Sequence, residues 1–389
     1  MRPLLVALAL LALLPATASA RTWKGKATEV NDGDTIAVDV RGDGTRRPRD
    51  IRFIGVQAME LTRYSSHPSK WRGECHALEA AQRVLELVRR SHWKVRLSAR
   101  HASSHAGRRL RRYVGVRSGG RWVDLGEVLM AEGHTLFMGS EDEPDRNRVY
   151  NTLGQQAALA GIRIWDPATC GHGPSQDLPL RLWANWDPPG VDNVDVNGEW
   201  IKVQNRSPDR SLALGGWWVR DSMLRRYTFP GGTVLGPGQT VTVHAGHGAD
   251  ASGVLHWGLD VTLFPNNAGD GAYLFDPDGD LRASMAYPCV VACADPNQGA
   301  LALDADPRHE SVRIRNVSGH PVDLYGYALA QHGSAWPFEP GTVLAPGASL
   351  TVDHPGGDQP VMRDSGGSIS VSTFTAVPLA CAAWGSGSC

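Results

Sequence analysis

Three short clusters in the first third of this 389-residue chain combine residue types that can act on a phosphate ester. The first is Asn-Asp-Gly-Asp-Thr at 31–35. Asp32 and Asp34, one glycine apart at the entry to a strand, are hard oxygen ligands suited to Ca²⁺, although Asp-Gly is equally a plain turn signal. The second runs from Ile51 to Leu61, with Arg52 among apolar strand residues and Glu60 just past the strand's end. An arginine inside a core strand needs an anionic partner, and a phosphate or a carboxylate brace meets that need. The third is Gly107-Arg108 on the approach to another strand, in a basic run with Arg109, Arg111 and Arg112 that suits a nucleic acid or a solvated edge. Carboxylates that can ligate a cation and arginines that can fork a phosphate thus recur across the three clusters.

The elements that carry these clusters follow from the hydrophobic pattern. Alternating or β-branched runs near 22–30, 34–41, 50–56, 93–99 and 110–118 predict five strands. Between the third and fourth, CHALEAAQRVLELVRR places Ala77, Leu78, Ala81, Val84, Leu85 and Val88 on one helical face. Shorter helices are predicted over 125–133 and from Val149 to Ile164. Three strands, a helix, two strands and two helices fit a five-stranded OB-fold barrel with helices packed on it. Beyond it, short strands alternate with Gly/Pro turns. YTFPGGTVLGPGQTVTV (227–243) recurs as WPFEPGTVLAPGASLTV (336–352), and EWIKVQNRS (199–207) parallels ESVRIRNVS (310–318). Two copies with a period near 110 residues predict two tandem β-sandwiches. The chain therefore reads as a multidomain, mainly β protein. Its divisions are a signal peptide at 1–20, the barrel at 21–170, a linker at 171–190, and sandwiches at 191–295 and 300–389.

Taken together and in order, the three clusters resemble the staphylococcal nuclease family. That family's pattern is DGDT, a strand with an arginine ending in DTPE, and a GR turn before a further strand. The likeness spans about 22–166, down to the closing AALAGIRIW. It implies a Ca²⁺-assisted endonuclease acting on DNA or RNA and leaving 3′-phosphate ends. Glu60 would be the general base, and Arg52 and Arg108 would hold the phosphate. Asp34 would be a metal ligand, with weaker support from Asp32 and from Gln57. Gln57 stands where the family has its second metal-binding aspartate, in Gln57-Ala58-Met59-Glu60. The replacement lowers the site's charge by one, and Ca²⁺ affinity follows ligand charge; Asp32 and Glu74 are the candidates to offset it. Ala106 replaces a family tyrosine before the GR turn. In the acidic half, NGEWIKVQNRS, LGGWWVRD and LFPNNAGDGAYLFDPDGD resemble the lamin-tail domain over about 193–288, and 305–378 resembles a divergent second copy. That resemblance implies an immunoglobulin-like fold for both sandwiches.

Charge agrees with this division. Residues 21–170 hold 26 Lys and Arg against 18 Asp and Glu, and residues 171–389 hold 12 against 22, so a net charge of −1 conceals a basic and an acidic half. A basic domain suits a polyanion. Met1-Arg2, an apolar run and Ala-Thr-Ala-Ser-Ala predict a cleaved export signal and a secreted product with no membrane span after cleavage. Six cysteines in an exported chain predict disulfides, and chain order favours Cys75–Cys170, Cys289–Cys293 and Cys381–Cys389. His101 and His105 read as loop residues, and Asp276–Asp280 as a hairpin turn whose likeness to a Ca²⁺ loop fails at Tyr287. The leading expectation is a secreted nuclease whose barrel cuts alone, with sandwiches that bind or anchor to a surface or protein partner. The alternatives are a nucleic-acid binder without turnover and an extracellular scaffold or adhesion protein.

Overall fold

The computed structural model describes residues 21–61, 74–166, 169, 178–188, 191–293, 295, 297–331, 334–339, 341–357, 360–373 and 378–389. The expected signal peptide and Cys170 lie outside these residues.

The first unit is built from β1 (Arg21–Val30), β2 (Thr35–Val40), β3 (Arg49–Phe53), β4 (Val56–Ala58), α1 (Ala77–Arg90), β5 (Lys94–Ala99), β6 (His105–Ala106), β7 (Arg109–Ser118), β8 (Arg121–Asp124), α2 (Leu125–Ala131), β9 (Thr135–Phe137) and α3 (Asn147–Leu159). Antiparallel pairing runs β3-β2-β1-β5-β7, and parallel pairing of β3 with β7 closes the barrel. Alternation along the strands directs Ile36, Val38, Ile51, Phe53, Val95, Leu97, Val114 and Val116 into one core, where Val84, Leu87 and Val88 of α1 join them. The predicted face of α1 is rotated slightly: Leu78 is exposed and Ala80 is buried in its place. α1 ends on Ser91, whose hydroxyl donates to the Lys94 carbonyl and turns the chain into β5. Gly33 is required by close approach, because a Cβ there would lie 2.7 Å from Ala58 Cβ and 2.8 Å from Ala80 Cβ. That contact presses the Asp-Gly turn against both β4 and α1.

Each later unit is a pair of packed sheets, antiparallel except where Thr242–His244 pairs in parallel with Val254–His256. In the first, 180–185, 200–205, 240–244 and 254–256 form one layer, and 226–228, 218–220, 270–275 and 281–287 form the other. In the second, 301–306, 311–316 and 349–353 face 334–337, 327–331, 366–373 and 378–385 in the same order. The protein is thus a mainly β chain with a closed five-stranded barrel and immunoglobulin-like sandwiches, and none of its described helices is long and apolar enough to cross a membrane.

One boundary moves. Leu180–Asn185, inside the segment read as a linker, pairs along its whole length with Trp200–Asn205. Leu182 and Ala184 face the sandwich core, a short alternation that the neighbouring Pro and Gly residues outweighed in the sequence. Asn205 and Asn316, which head glycosylation-like triplets, are fully buried and donate to turn carbonyls of Leu235 and Leu344 respectively. Cys289–Cys293 and Cys381–Cys389 are bonded, with Cα separations of 5.5 and 5.8 Å.

The three units share their surfaces. Met59, Ala77, Leu136 and Ile164 of the barrel unit form a single buried cluster with Trp218, Tyr273 and Phe275 of the first sandwich. Gly139 donates its N–H to the Gly269 carbonyl at 3.0 Å, and a Cβ on Gly139 would lie 2.1 Å from that oxygen. Between the sandwiches, Lys202 is fully buried, with Nζ 3.2 Å from Asp323 Oδ2 and 4.2 Å from the centre of the Tyr325 ring.

Candidate active site

The site residues come together at one end of the barrel, where the Asp-Gly turn, the end of β3 and the β4 strand meet. Asp34 opens β2 and is buried. Its Oδ2 accepts the Ala58 N–H at 2.8 Å, and its Oδ1 accepts the Thr35 hydroxyl at 3.0 Å and pairs with the Arg52 guanidinium. Asp32 caps the turn by accepting the Asp34 N–H at 2.9 Å. Arg52, only 7% exposed, also donates to Gln57 Oε1. Gln57 in turn donates through Nε2 to Glu60 Oε1 at 2.9 Å. A chain of contacts therefore runs Asp34–Arg52–Gln57–Glu60 from the barrel core to its rim.

Electrostatics follow from that packing. Burial lowers the Arg52 pKa to about 10, while Asp32 and Glu60 hold the proton in place, so it remains a cation at neutral pH. Burial holds the Glu60 carboxyl above the usual carboxylate range; the charges of Asp32 and Glu74 add to this, and Arg52 and the Gln57 amide oppose it. A carboxylate in that setting is a stronger proton acceptor than a solvated one.

The basic hairpin of β6 and β7 stands beside this end of the barrel. Ala106 pairs with Arg109, leaving Gly107-Arg108 as the two-residue turn, with Gly107 at φ 57°. Arg108 is exposed at the tip. Arg109 is also exposed, but its Nη1 lies 3.5 Å from Thr35 Oγ1 and its charge acts on both Asp32 and Arg52. Arg111 lies across from Arg52 in the β3–β7 register and donates to Ser140 Oγ at 2.6 Å. Arg112 corrects the expectation of a nucleic-acid contact. It is buried, donates to the carbonyls of Ser104, Arg111 and Ala102, and lies over the Trp23 ring at 4.5 Å. It is in phase with the core residues Val114 and Val116, and that alternation could have removed it from the basic set.

The donor set does not fit a resident divalent cation as it stands. Both oxygens of Asp34 and the single side-chain oxygen of Gln57 are taken by protein donors, and the charge among these carboxylates is Arg52 itself. Among the described residues no group of three or more His, Cys, Asp and Glu is placed to hold a metal. Glu74 offers no compensating charge, because it is buried, accepts the Glu60 N–H at 2.7 Å and lies 3.6 Å from the Arg220 guanidinium. That contact with Arg220 joins residues distant in the sequence, and the three clusters do not point to it.

Comparison with known families assigns the middle of the chain. The family model described as the Lamin Tail Domain matches residues 186–289, which cover most of the first sandwich. The staphylococcal nuclease family is not among the matches. No curated protein matches the chain.

Proposed function

We propose that residues 21–170 form a staphylococcal-nuclease-like domain of a secreted protein that hydrolyses phosphodiester bonds in DNA or RNA. The observation that carries this reading is Glu60, a half-buried carboxylate fixed by the Gln57 amide beside the Arg52 cation, next to an exposed basic hairpin. Glu60 takes a proton from water as the water oxygen forms its bond to phosphorus. The bond to the leaving oxygen then breaks, and that oxygen is protonated from solvent. Arg108 and Arg109 bind the phosphate and offset the charge that develops on it. Arg52, already engaged by Asp34 and Gln57, keeps the carboxylates at their stations. No step is routed through Ca²⁺. Export is supported by the two small disulfide loops, which persist in oxidising compartments. The second sandwich repeats the strand pairing of the first, except for the latter's 254–256 strand, and reads as a divergent lamin-tail domain. The two sandwiches serve as binding or anchoring modules for a surface or protein partner.

The closed Asp34–Arg52–Gln57 contact favours a second reading, nucleic-acid binding without turnover. One assay separates the two. Full-length mature protein is incubated with plasmid DNA and with RNA, with added Ca²⁺ and with chelator. The nuclease reading expects cleavage that persists in chelator and falls by a factor of about 10²–10⁴ in Glu60→Gln, the usual contribution of a general base. Arg108→Ala is expected to slow turnover more than tenfold. Salt-sensitive retardation of intact DNA would establish the binder instead.

A further inference from the structure

The catalytic glutamate is held from behind by the neighbouring domain. Glu60 and Glu74 exchange two backbone-directed bonds: the Glu60 N–H donates to Glu74 Oε2 at 2.7 Å, and the Glu74 N–H donates to the Glu60 carbonyl at 2.8 Å. Glu74 is buried at the foot of α1, where an unpaired carboxylate is unfavourable by several kcal/mol. Its cation is Arg220, which belongs to the strand Trp218–Arg220 of the lamin tail domain. Arg220 is fully buried, with Nη2 3.6 Å from Glu74 Oε2 and 3.6 Å from the sulfur of Met59. Its guanidinium also lies over the Phe275 ring at 4.9 Å. It therefore acts on Glu60 from two sides, through Glu74 on its amide and through the side chain of the residue before it.

We infer that Arg220 is a positioning residue for the site, so that the lamin tail domain completes the barrel's active centre. This rests on the nuclease reading above. The relay has no covalent step. Arg220 fixes the Glu74 carboxylate, Glu74 fixes the Glu60 backbone, and Gln57 fixes Glu60 Oε1, so the second carboxylate oxygen is aimed by one hold on the backbone and one on the side chain. A loose base loses rate because the attacking water must be held within a narrow geometry.

The test uses the full mature chain. Arg220→Met is expected to lower kcat at least tenfold while KM for DNA stays within about twofold, because the phosphate-binding hairpin is untouched. In a Glu60→Gln background the same change is expected to have no further effect. Equal losses in both backgrounds would reduce Arg220 to a general structural role and overturn the inference. Hydrogen exchange of the peptide containing Glu60 needs no turnover, and Arg220→Met is expected to speed it while peptides of β2 and β5 are unchanged. Unaltered exchange in a folded variant also overturns the relay. If the wild type does not cut, the nuclease reading fails, and the exchange measurement still decides whether the relay exists. Should Arg220→Met fail to fold, Arg220→Lys, which keeps the charge and loses the fork, is expected to give intermediate exchange. Wild-type exchange there would count against the fork's role.

Discussion

Ending the chain after Cys170 removes both sandwiches and leaves every residue of the three sequence clusters, and the expected Cys75–Cys170 pair, in place. The sequence presents such a barrel as self-sufficient, and the structure predicts otherwise. Met59, Leu136 and Ile164 are 2%, 0% and 2% exposed in the full chain, and one side of each packs on Trp218, Tyr273 and Phe275. Fully exposing such a side chain costs about 1.5–3 kcal/mol. Each retains its neighbours within the barrel, so roughly half of that is lost, a total of about 3 kcal/mol for the three. For a domain of this size a loss of that magnitude lowers the melting temperature by about 10 °C. It leaves the barrel folded, since small domains hold about 5–15 kcal/mol in reserve. The sharper effect is local, because Glu74 loses Arg220 and the Glu60 backbone loses its fixed acceptor. The fragment is expected to bind DNA within about threefold of the full chain, through Arg108 and Arg109, and to cut it at least tenfold more slowly at a temperature where both are folded. Calorimetry and single-turnover cleavage on the two proteins check this. A fragment that melts with the full chain's barrel and cuts at its rate would refute the reasoning, because the shared cluster would then contribute neither stability nor alignment.

Two further outcomes follow from buried charge. His76 Nε2 and His134 Nδ1 lie 2.9 Å apart between α1 and the end of α2, and burial lowers both pKa values, that of His134 to about 4. A native pKa below the unfolded one means that this stability is present above pH 6.5 and is lost as pH falls toward 4. It amounts to at most about 3 kcal/mol for His134, and His134→Phe is expected to flatten that part of a urea-midpoint against pH profile. At the sandwich junction, Lys202→Met leaves Asp323 buried without its cation and is expected to cost about 3–5 kcal/mol. Lys202→Met with Asp323→Leu together is expected to recover most of it, as read from the sandwich transition in calorimetry.

The strands and helices were legible because burial is one-sided and periodic in each of them. Ile36 and Val38, Val95 and Leu97, and Val114 and Val116 recur every second residue, and the structure puts each pair in the barrel core. Asp34, Arg52, Gln57 and Glu60 were legible as a set because their order and spacing resemble a family pattern, and the structure brings the four side chains into one chain of contacts. What they do to one another was not legible. That Arg52 would be taken up by Asp34 and Gln57, and that Arg109 instead of the turn-tip Arg108 would reach Thr35, depends on side-chain direction at a strand end. No period records that.

The domain contact was hidden for a different reason, and a trace of it was present. In the strand Trp218–Arg220, Val219 enters the sandwich core, so Trp218 and Arg220 occupy the outer face. In the strand Asp270–Phe275, Ala272 and Leu274 enter the core, while Tyr273 and Phe275 share that outer face. A sandwich sheet that faced water there would present polar residues in those phases. Two aromatics on one strand and a tryptophan beside an arginine on its neighbour instead specify a covered face with one buried cation. The cation then demands an acid from whatever covers it, and Glu74 is the acid that meets Arg220. The same alternation that located the sandwich's interior thus also identified the face on which a second domain had to sit, once the outward residues were read as closely as the inward ones.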